Sequence, residues 1–253
     1  MFTEWKTQIS ISVILLLGYW ALITLVPIPG IGMPNLSQPT IFDPVLQKEI
    51  APNIVAWFDN KILAGHLWSQ TKIWDPEGIL STLPAIVTGM LGVLLGKFLK
   101  SKFDELTKLI WIFSSANILI FLGLFWDLSF PMNKALWTSS YVLFTGGLAL
   151  HFFAMCYWFV DIKKYEWWTK PFVVYGTNAI TVYTLSWIGG TFLRLIKFDY
   201  DGSKTNLKNF LYDNLFTSFL SPINASLAWA IFYVLLWLGV MWIFYKKKIF
   251  LKV

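Results

Sequence analysis

The sequence predicts an all-α fold: a polytopic transmembrane helix bundle of about six spans, with a long irregular outer loop that carries a short interfacial helix. Three observations predict it. Of 253 residues, 57% are hydrophobic and 19% aromatic while only 13% are charged, well under the charged fraction of about 25% in an ordinary soluble domain. The 22 Phe and 15 Trp are more than one core of this size can hide, whereas lipid accepts apolar surface on every side of a bundle. The apolar residues also fall in long runs separated by short lysine clusters. A soluble enzyme is thereby excluded.

A helix needs roughly 20 apolar residues to cross a hydrocarbon core about 30 Å thick, and six runs qualify: 9–26, 79–96, 109–126, 136–160, 172–193 and 227–245. The first is too long for a signal-peptide core, has only Lys6 in its flank, and leaves through Val26-Pro27-Ile28-Pro29-Gly30 without a small-x-small cleavage site. It is expected to stay as a helix. Six of the eleven prolines lie between Pro27 and Pro52, which predicts an irregular excursion over the membrane surface. Ile54, Trp57, Phe58 and Ile62 follow at helical spacing, as in a short helix lying in the interface.

The second run opens with the most informative stretch. His66, Asp75 and Glu77 fall within twelve residues, followed by Gly78-Ile79-Leu80-Ser81-Thr82. Two carboxylates and an imidazole make a polar site there; carboxylates settling on the positive end of the helix dipole account for the same residues. Within the run, Gly89, Gly92 and Gly96 form a small-residue stripe that invites a second helix, which need not belong to this polypeptide. Ahead of the fourth run, Asn133 is placed to cap the helix, and Lys134 and Trp137 to anchor it at the interface. Ser140, Gly147 and His151 share a face of that helix, where a neutral, hydrogen-bonded His151 is the ordinary outcome. In the fifth run, Tyr175, Asn178, Ser186 and Gly189 share a face, and the Asn178 carboxamide needs partners in lipid.

Lysines set the expected orientation. Lys97, Lys100, Lys102 and Lys108, then Lys163, Lys164 and Lys170, then Lys246, Lys247, Lys248 and Lys252 all fall on one side of the bundle. The positive-inside rule makes that side, with both termini, cytoplasmic and the membrane a cell membrane. The outer side carries the loop 27–78 and the connection 194–226, with Asp43, Glu49, Asp59, Asp75, Glu77, Asp199, Asp201 and Asp213. The net charge of +6 rests on lysine, Arg194 being the only arginine. This reads as membrane orientation, with no nucleic-acid partner. One cysteine, Cys156, supports neither a disulfide framework nor a cysteine metal site. Residues 1–253 are read as one transmembrane domain.

Several separated motifs, in order, resemble the heparan-alpha-glucosaminide N-acetyltransferase-like family of multi-pass membrane acetyltransferases, in its C-terminal half. They are Leu63-Ala64-Gly65-His66-Leu67, Asp75 through Thr82, Asn133 through Tyr141, Val160-Asp161-Ile162-Lys163, Pro171-Phe172 with Gly176-Thr177-Asn178, and Lys247-Lys248-Ile249-Phe250. The resemblance implies transfer of acetyl from cytoplasmic acetyl-CoA to the amine of an amino sugar on the far side, with no metal. It implies Asp75, Glu77, Asn133, Asn178 and His66 as acceptor-side residues, and Lys97 and Lys100 as the weaker candidates for the phosphates of the donor. Family members also carry an N-terminal Asp-x-x-Arg-Gly opening, a catalytic His and an Asp-Leu-x-Phe-Pro stretch, none of which occurs in this chain. Neither His66 nor His151 matches that His, and Asn60 stands where members usually have Arg. The expectation is therefore an acyltransferase module that is inactive alone, either acting with a separately encoded N-terminal half or representing a truncated gene product. The alternatives are a non-catalytic scaffold or partner subunit, including a homo-oligomer, and then a small-solute transporter. Against the transporter, no intramembrane Asp, Glu or Arg is present to couple an ion.

Overall fold

The computed structural model describes residues 4–36 and 40–251. Pro39 and Lys252 lie outside the described residues. The chain divides into two compact units, Met1–Lys163 and Lys164–Val253.

The first unit begins with α1 (Trp5–Leu25) and then folds its proline-rich stretch into a short antiparallel hairpin, β1 (Ile41–Asp43) with β2 (Lys48–Ile50). The hairpin turn is held by Asp43, whose Oδ1 accepts from the N–H groups of Val45 (2.7 Å) and Leu46 (3.0 Å). Next come α2 (Ile54–Ile62), α3 (Thr82–Leu99), α4 (Glu105–Asp127) and α5 (Ser139–Tyr157), which winds on as a π-turn through Trp158–Ile162. The outer loop is less open than the sequence suggests. Ile28, Ile50, Ile54, Val55 and Trp57 pack with Tyr19 and Ile23 of α1 and with Phe130 into a core of their own. The short helix is thus embedded, because the run Ile54-Val55-Ala56-Trp57 is apolar around its whole circumference.

The tightest helix contact joins α4 and α5. A β-carbon on Gly123 would lie 2.7 Å from the Phe144 backbone nitrogen, and one on Gly147 would lie 2.8 Å from the Ala116 carbonyl oxygen. Glycine is what lets these two backbones approach. The α3 stripe behaves differently: nothing lies within 4 Å of where β-carbons on Gly89, Gly92 and Gly96 would be. Near the start of α5, Ser139 donates to the Leu16 carbonyl (2.8 Å) and Ser140 to that of Phe130 (2.6 Å), tying the helix to α1 and to the preceding loop.

The second unit contains α6 (Lys170–Gly176), α7 (Ala179–Leu195), a hairpin of β3 (Lys197–Tyr200) and β4 (Ser203–Asn206), α8 (Leu207–Tyr212) and α9 (Pro222–Lys246). Asp201 and Gly202 make the hairpin turn, both at positive φ (51° and 74°). The face read from Tyr175, Ser186 and Gly189 packs on α9. The Tyr175 hydroxyl donates to the Val234 carbonyl, the Tyr233 hydroxyl to that of Ser186 (2.5 Å), and the Trp237 ring covers Gly189. An apolar cleft of about 270 Å³ lies between α7, α8 and α9, lined by Gly189, Phe192, Leu211, Trp229 and Trp237 among others.

Among the described residues five helices are long and apolar enough to cross a membrane: Trp5–Leu25, Thr82–Leu99, Glu105–Asp127, Ser139–Ile162 and Pro222–Lys246. The remaining predicted run, 172–193, is not continuous. It breaks between α6 and α7 at Asn178, whose backbone leaves helical geometry (φ −137°, ψ 41°) while its side chain bonds elsewhere.

Candidate functional site

At one end of the first unit α1 ends, α3 begins, α4 ends and α5 begins, so connectivity alone gathers residues 26–81 and 128–138 there. The acidic candidates lie in this set. Lys97, Lys100, Lys102, Lys108 and Lys163 fall at the opposite end, around the α3–α4 turn and the end of α5.

The site is built on α2. Asn53 caps this helix, its Oδ1 accepting from Ala56 N–H (2.9 Å). Two turns on, Asp59 and Asn60 are both about 1% exposed. Asp59 Oδ1 accepts from the Ile79 N–H (3.0 Å), while its Oδ2 is buried without a donor. That oxygen lies against Gly78, where any β-carbon would be 1.9 Å away. Asn60 spends both N–H groups on backbone carbonyls, those of Ala56 and Ile73 (each 2.7 Å), and its Oδ1 is likewise buried and unpartnered. A buried acceptor without a donor costs roughly 1–3 kcal/mol, and more when charged. Burial pushes the Asp59 carboxyl above the ordinary carboxylate range; the Ile79 N–H opposes this, and the charge of Asp75 adds to it.

Above this floor runs the loop 63–81. Asp75 folds it, Oδ2 accepting from Trp68 N–H (2.9 Å) and Oδ1 from Glu77 N–H (2.9 Å), while the rings of Trp68 and Trp74 meet edge to face. Ser81 and Thr82 both donate to the Gly78 carbonyl (2.9 and 3.2 Å), which fixes Gly78 over Asp59. Glu77 and His66 are exposed on the loop.

The structure thus brings Asp75 and Glu77 together with Asp59 and Asn60 on one short segment of chain. The remaining sequence candidates are placed otherwise. Asn133 does not cap α5; its Oδ1 accepts from Ala135 N–H (2.8 Å) and Leu136 N–H (3.3 Å), making the turn ahead of the helix, because Thr138 occupies the cap position. Trp137 is more than an interface anchor, since its Nε1 donates to Thr88 Oγ1 of α3 (3.2 Å). His151 meets Asn117 of α4 (3.3 Å) and packs on Phe113, the ordinary structural arrangement.

Asn178 is engaged within the second unit. Its Nδ2 donates to the Ile249 carbonyl and its Oδ1 accepts from Leu251 N–H, both at 3.0 Å. It is a clasp for the segment after Lys246, Lys247 and Lys248, at the lysine-bearing end of α9. Lys100 is exposed at the C-cap of α3 and Lys97 lies in its last turn.

Asp59 and Asn60 are the residues that sequence reasoning passed over as site members, Asp59 counted only among outer acids. The available signal was the unbroken apolar run before them, which predicts burial on all sides of α2 and hence a carboxylate without water. Among the described residues no group of three or more His, Cys, Asp or Glu stands close enough to hold a metal ion.

The fold and this site define a multi-pass membrane protein with a buried carboxylate beneath an acidic loop at one end of a helix bundle. Sequence comparison supplies the relationship. The chain is 27% identical over 271 residues to the heparan-alpha-glucosaminide N-acetyltransferase of Mus musculus, covering 99% of this chain and 37% of that protein. It is 32% identical over 191 residues to the Homo sapiens protein of the same name, covering 68% of this chain and 28% of that protein. No protein-family profile matches the chain. The chain is a distant relative of the heparan-alpha-glucosaminide N-acetyltransferases, a membrane acetyltransferase-like module whose matches span 37% and 28% of the lengths of these two relatives.

Proposed function

We propose that this chain is the acceptor-binding part of a membrane acetyltransferase that carries acetyl from acetyl-CoA on the lysine-rich side to the amine of an amino sugar on the acidic side. The observation that carries it is the group of Asp59, Asp75 and Glu77 at the end of the first unit opposite Lys97, Lys100, Lys102, Lys108 and Lys163, in a chain related along 99% of its length to a glucosaminide N-acetyltransferase. Acetylation of an ammonium forms a C–N bond, breaks the thioester C–S bond and takes two protons from nitrogen, one ending on the thiol of the released CoA and the other on a base. The acidic end supplies carboxylates to orient the ammonium and take that proton. Lys97 and Lys100 at the other end stand toward the phosphates of acetyl-CoA. The membrane is the cell membrane, with both termini on the lysine side.

Activity in this scheme depends on an imidazole-bearing component outside this chain. His151 is engaged with Asn117, and His66 is exposed on the loop. A partner also fits the open stripe of Gly89, Gly92 and Gly96 on α3. A non-catalytic partner subunit is the second reading, and the engagement of His151 favours it. Vesicles containing the chain, with and without a co-expressed N-terminal half of a relative, decide between them. Radiolabelled acetyl-CoA is added on the lysine side and glucosamine on the other. Labelled N-acetylglucosamine formed only by the pair supports the proposal; transfer that does not need this chain makes it a non-catalytic partner subunit, and no transfer in any combination refutes the assignment.

A further inference from the structure

Two buried oxygens on adjacent residues of α2, Asp59 Oδ2 and Asn60 Oδ1, have no hydrogen-bond donor, and both lie beneath the loop that bears Asp75 and Glu77. The other polar atoms of the two side chains are committed: Asp59 Oδ1 to Ile79 N–H, and Asn60 Nδ2 to the Ala56 and Ile73 carbonyls. What remains is acceptor capacity alone, next to a carboxylate. A hydroxyl matches this poorly, offering one donor and two lone pairs. An ammonium matches it well, with three donors, a positive charge and no lone pair facing the carboxylate.

Position agrees with chemistry. Asp59 Oδ2 is directed at Gly78, the residue after Glu77, and Gly78 interposes no side chain. The ionisable groups acting on Asp59 are Asp75 on the loop and Tyr19 on α1. Lys61, two residues along the helix, is turned over the Trp57 ring at 4.9 Å, and Lys72 is exposed.

We propose that Asp59 and Asn60 form the ammonium-binding floor of the acceptor site, and that Asp59 Oδ2 takes the proton that the amine must lose. This rests on the amino-sugar reading above and names its recognition element. In the step, one N–H bond breaks with its electron pair left on nitrogen, and an O–H bond forms at Oδ2. R–NH3+ and a carboxylate become R–NH2 and a neutral carboxylic acid, with charge conserved. The amine then holds the lone pair that attacks the acetyl carbon. The apolar surroundings of Asp59 favour the neutral acid so formed.

The test is glucosamine binding to the full chain in lipid nanodiscs by titration calorimetry, with N-acetylglucosamine as the uncharged control. Wild type is compared with Asp59→Asn, Asp59→Glu and Asp75→Asn. Wild type is expected to bind glucosamine in preference to N-acetylglucosamine, and Asp59→Asn to weaken glucosamine roughly ten- to a hundredfold, more than Asp75→Asn does. Glucosamine affinity should also fall as pH is lowered into the acidic range, where the sugar stays protonated and Asp59 does not stay ionised. Equal affinity in wild type and Asp59→Asn overturns the floor while leaving acetyl transfer by the reconstituted pair intact. Should Asp59→Asn not fold, competition against wild type decides: methylammonium displaces glucosamine and methanol does not, and absence of that difference overturns the proposal. No binding of any amino sugar to wild type sinks the acceptor reading and the floor with it.

Discussion

Replacing Gly78 with alanine isolates the contact on which the site rests. The added methyl would lie 1.9 Å from Asp59 Oδ2, 2.7 Å from Cγ and 3.1 Å from Oδ1. Carbon and oxygen settle no closer than about 3.2 Å, near the lower edge of ordinary heavy-atom contacts, so loop and helix must part by more than about 1 Å. Neither side yields easily. The Gly78 carbonyl holds two hydroxyl donors, and α2 is pinned by its Asn53 cap and the buried Ile54, Val55 and Ala56. Overpacking of this kind costs about 1–3 kcal/mol, and pulling Ile79 N–H from the carboxylate costs about 1.5–3 kcal/mol more. We expect Gly78→Ala to lower unfolding free energy by about 3 kcal/mol, because the two losses share one displacement and do not add in full. The same change in an Asp59→Ala background removes the obstacle. Gly78 has no positive φ to protect, so there alanine should be neutral, or stabilising by about 0.4–1 kcal/mol through the unfolded chain. Steric-trap unfolding of the four proteins in bicelles gives the coupling directly. A Gly78→Ala cost below about 0.5 kcal/mol, or an equal cost in both backgrounds, refutes the packing of Gly78 on Asp59.

Three other outcomes follow from the same structure. Gly123→Ala, which sets a methyl against the Phe144 backbone, should cost about 1–3 kcal/mol, whereas Gly92→Ala meets nothing and should gain up to about 1 kcal/mol from helix propensity; bicelle unfolding of both variants checks the contrast, and Gly92→Leu should abolish co-purification with an N-terminal half if that face receives it. Asn178→Leu releases two hydrogen bonds to the C-terminal segment, and limited trypsinolysis after Lys247 or Lys248 should then run at least several-fold faster with the helical circular dichroism unchanged. The pH slopes of two carboxylates should oppose one another. Asp59, raised by burial, adds stability at low pH that is lost as pH climbs through its folded value. Asp104, lowered by the Thr107 hydroxyl and N–H, adds stability above the ordinary carboxylate range that is lost as pH falls. Asp59→Asn should flatten the first slope and Asp104→Asn the second in pH-dependent unfolding.

The helices were legible because run length and composition are local quantities. Runs at 9–26, 79–96, 109–126, 136–160 and 227–245 all became helices of spanning length. The break at Asn178 was not legible: its cause is a bond to Ile249 and Leu251, some seventy residues on. Small residues by themselves do not say which partner they face. Gly92 and Gly96 have the familiar spacing, but the close approach occurs at Gly123 and Gly147, where the facing backbones of α4 and α5 decide it. Asp75 and Glu77 stood out because Pro76 and Gly78 mark a helix entrance around them. Asp59 did not, since its burial depends on a core drawn from α1, the β2 strand and the loop after α4.

That burial is also the strongest reason to assign Asp59 a role beyond folding. Asparagine in its place would keep an oxygen for Ile79 N–H and would bring no charge into a site about 1% exposed. By stability alone the amide is the better residue, and the neighbouring Asn60 shows that the helix accommodates one. A carboxylate there sets local electrostatics against the fold, with Asp75 adding to the strain instead of relieving it. Such conflicts concentrate at functional sites, where a ligand supplies what the fold withholds. If Asp59 is merely tolerated, Asp59→Asn should gain stability at neutral pH and lose nothing else. If it serves the acceptor, the same variant should gain stability and lose glucosamine binding together, an inverse pairing that a purely structural residue does not produce.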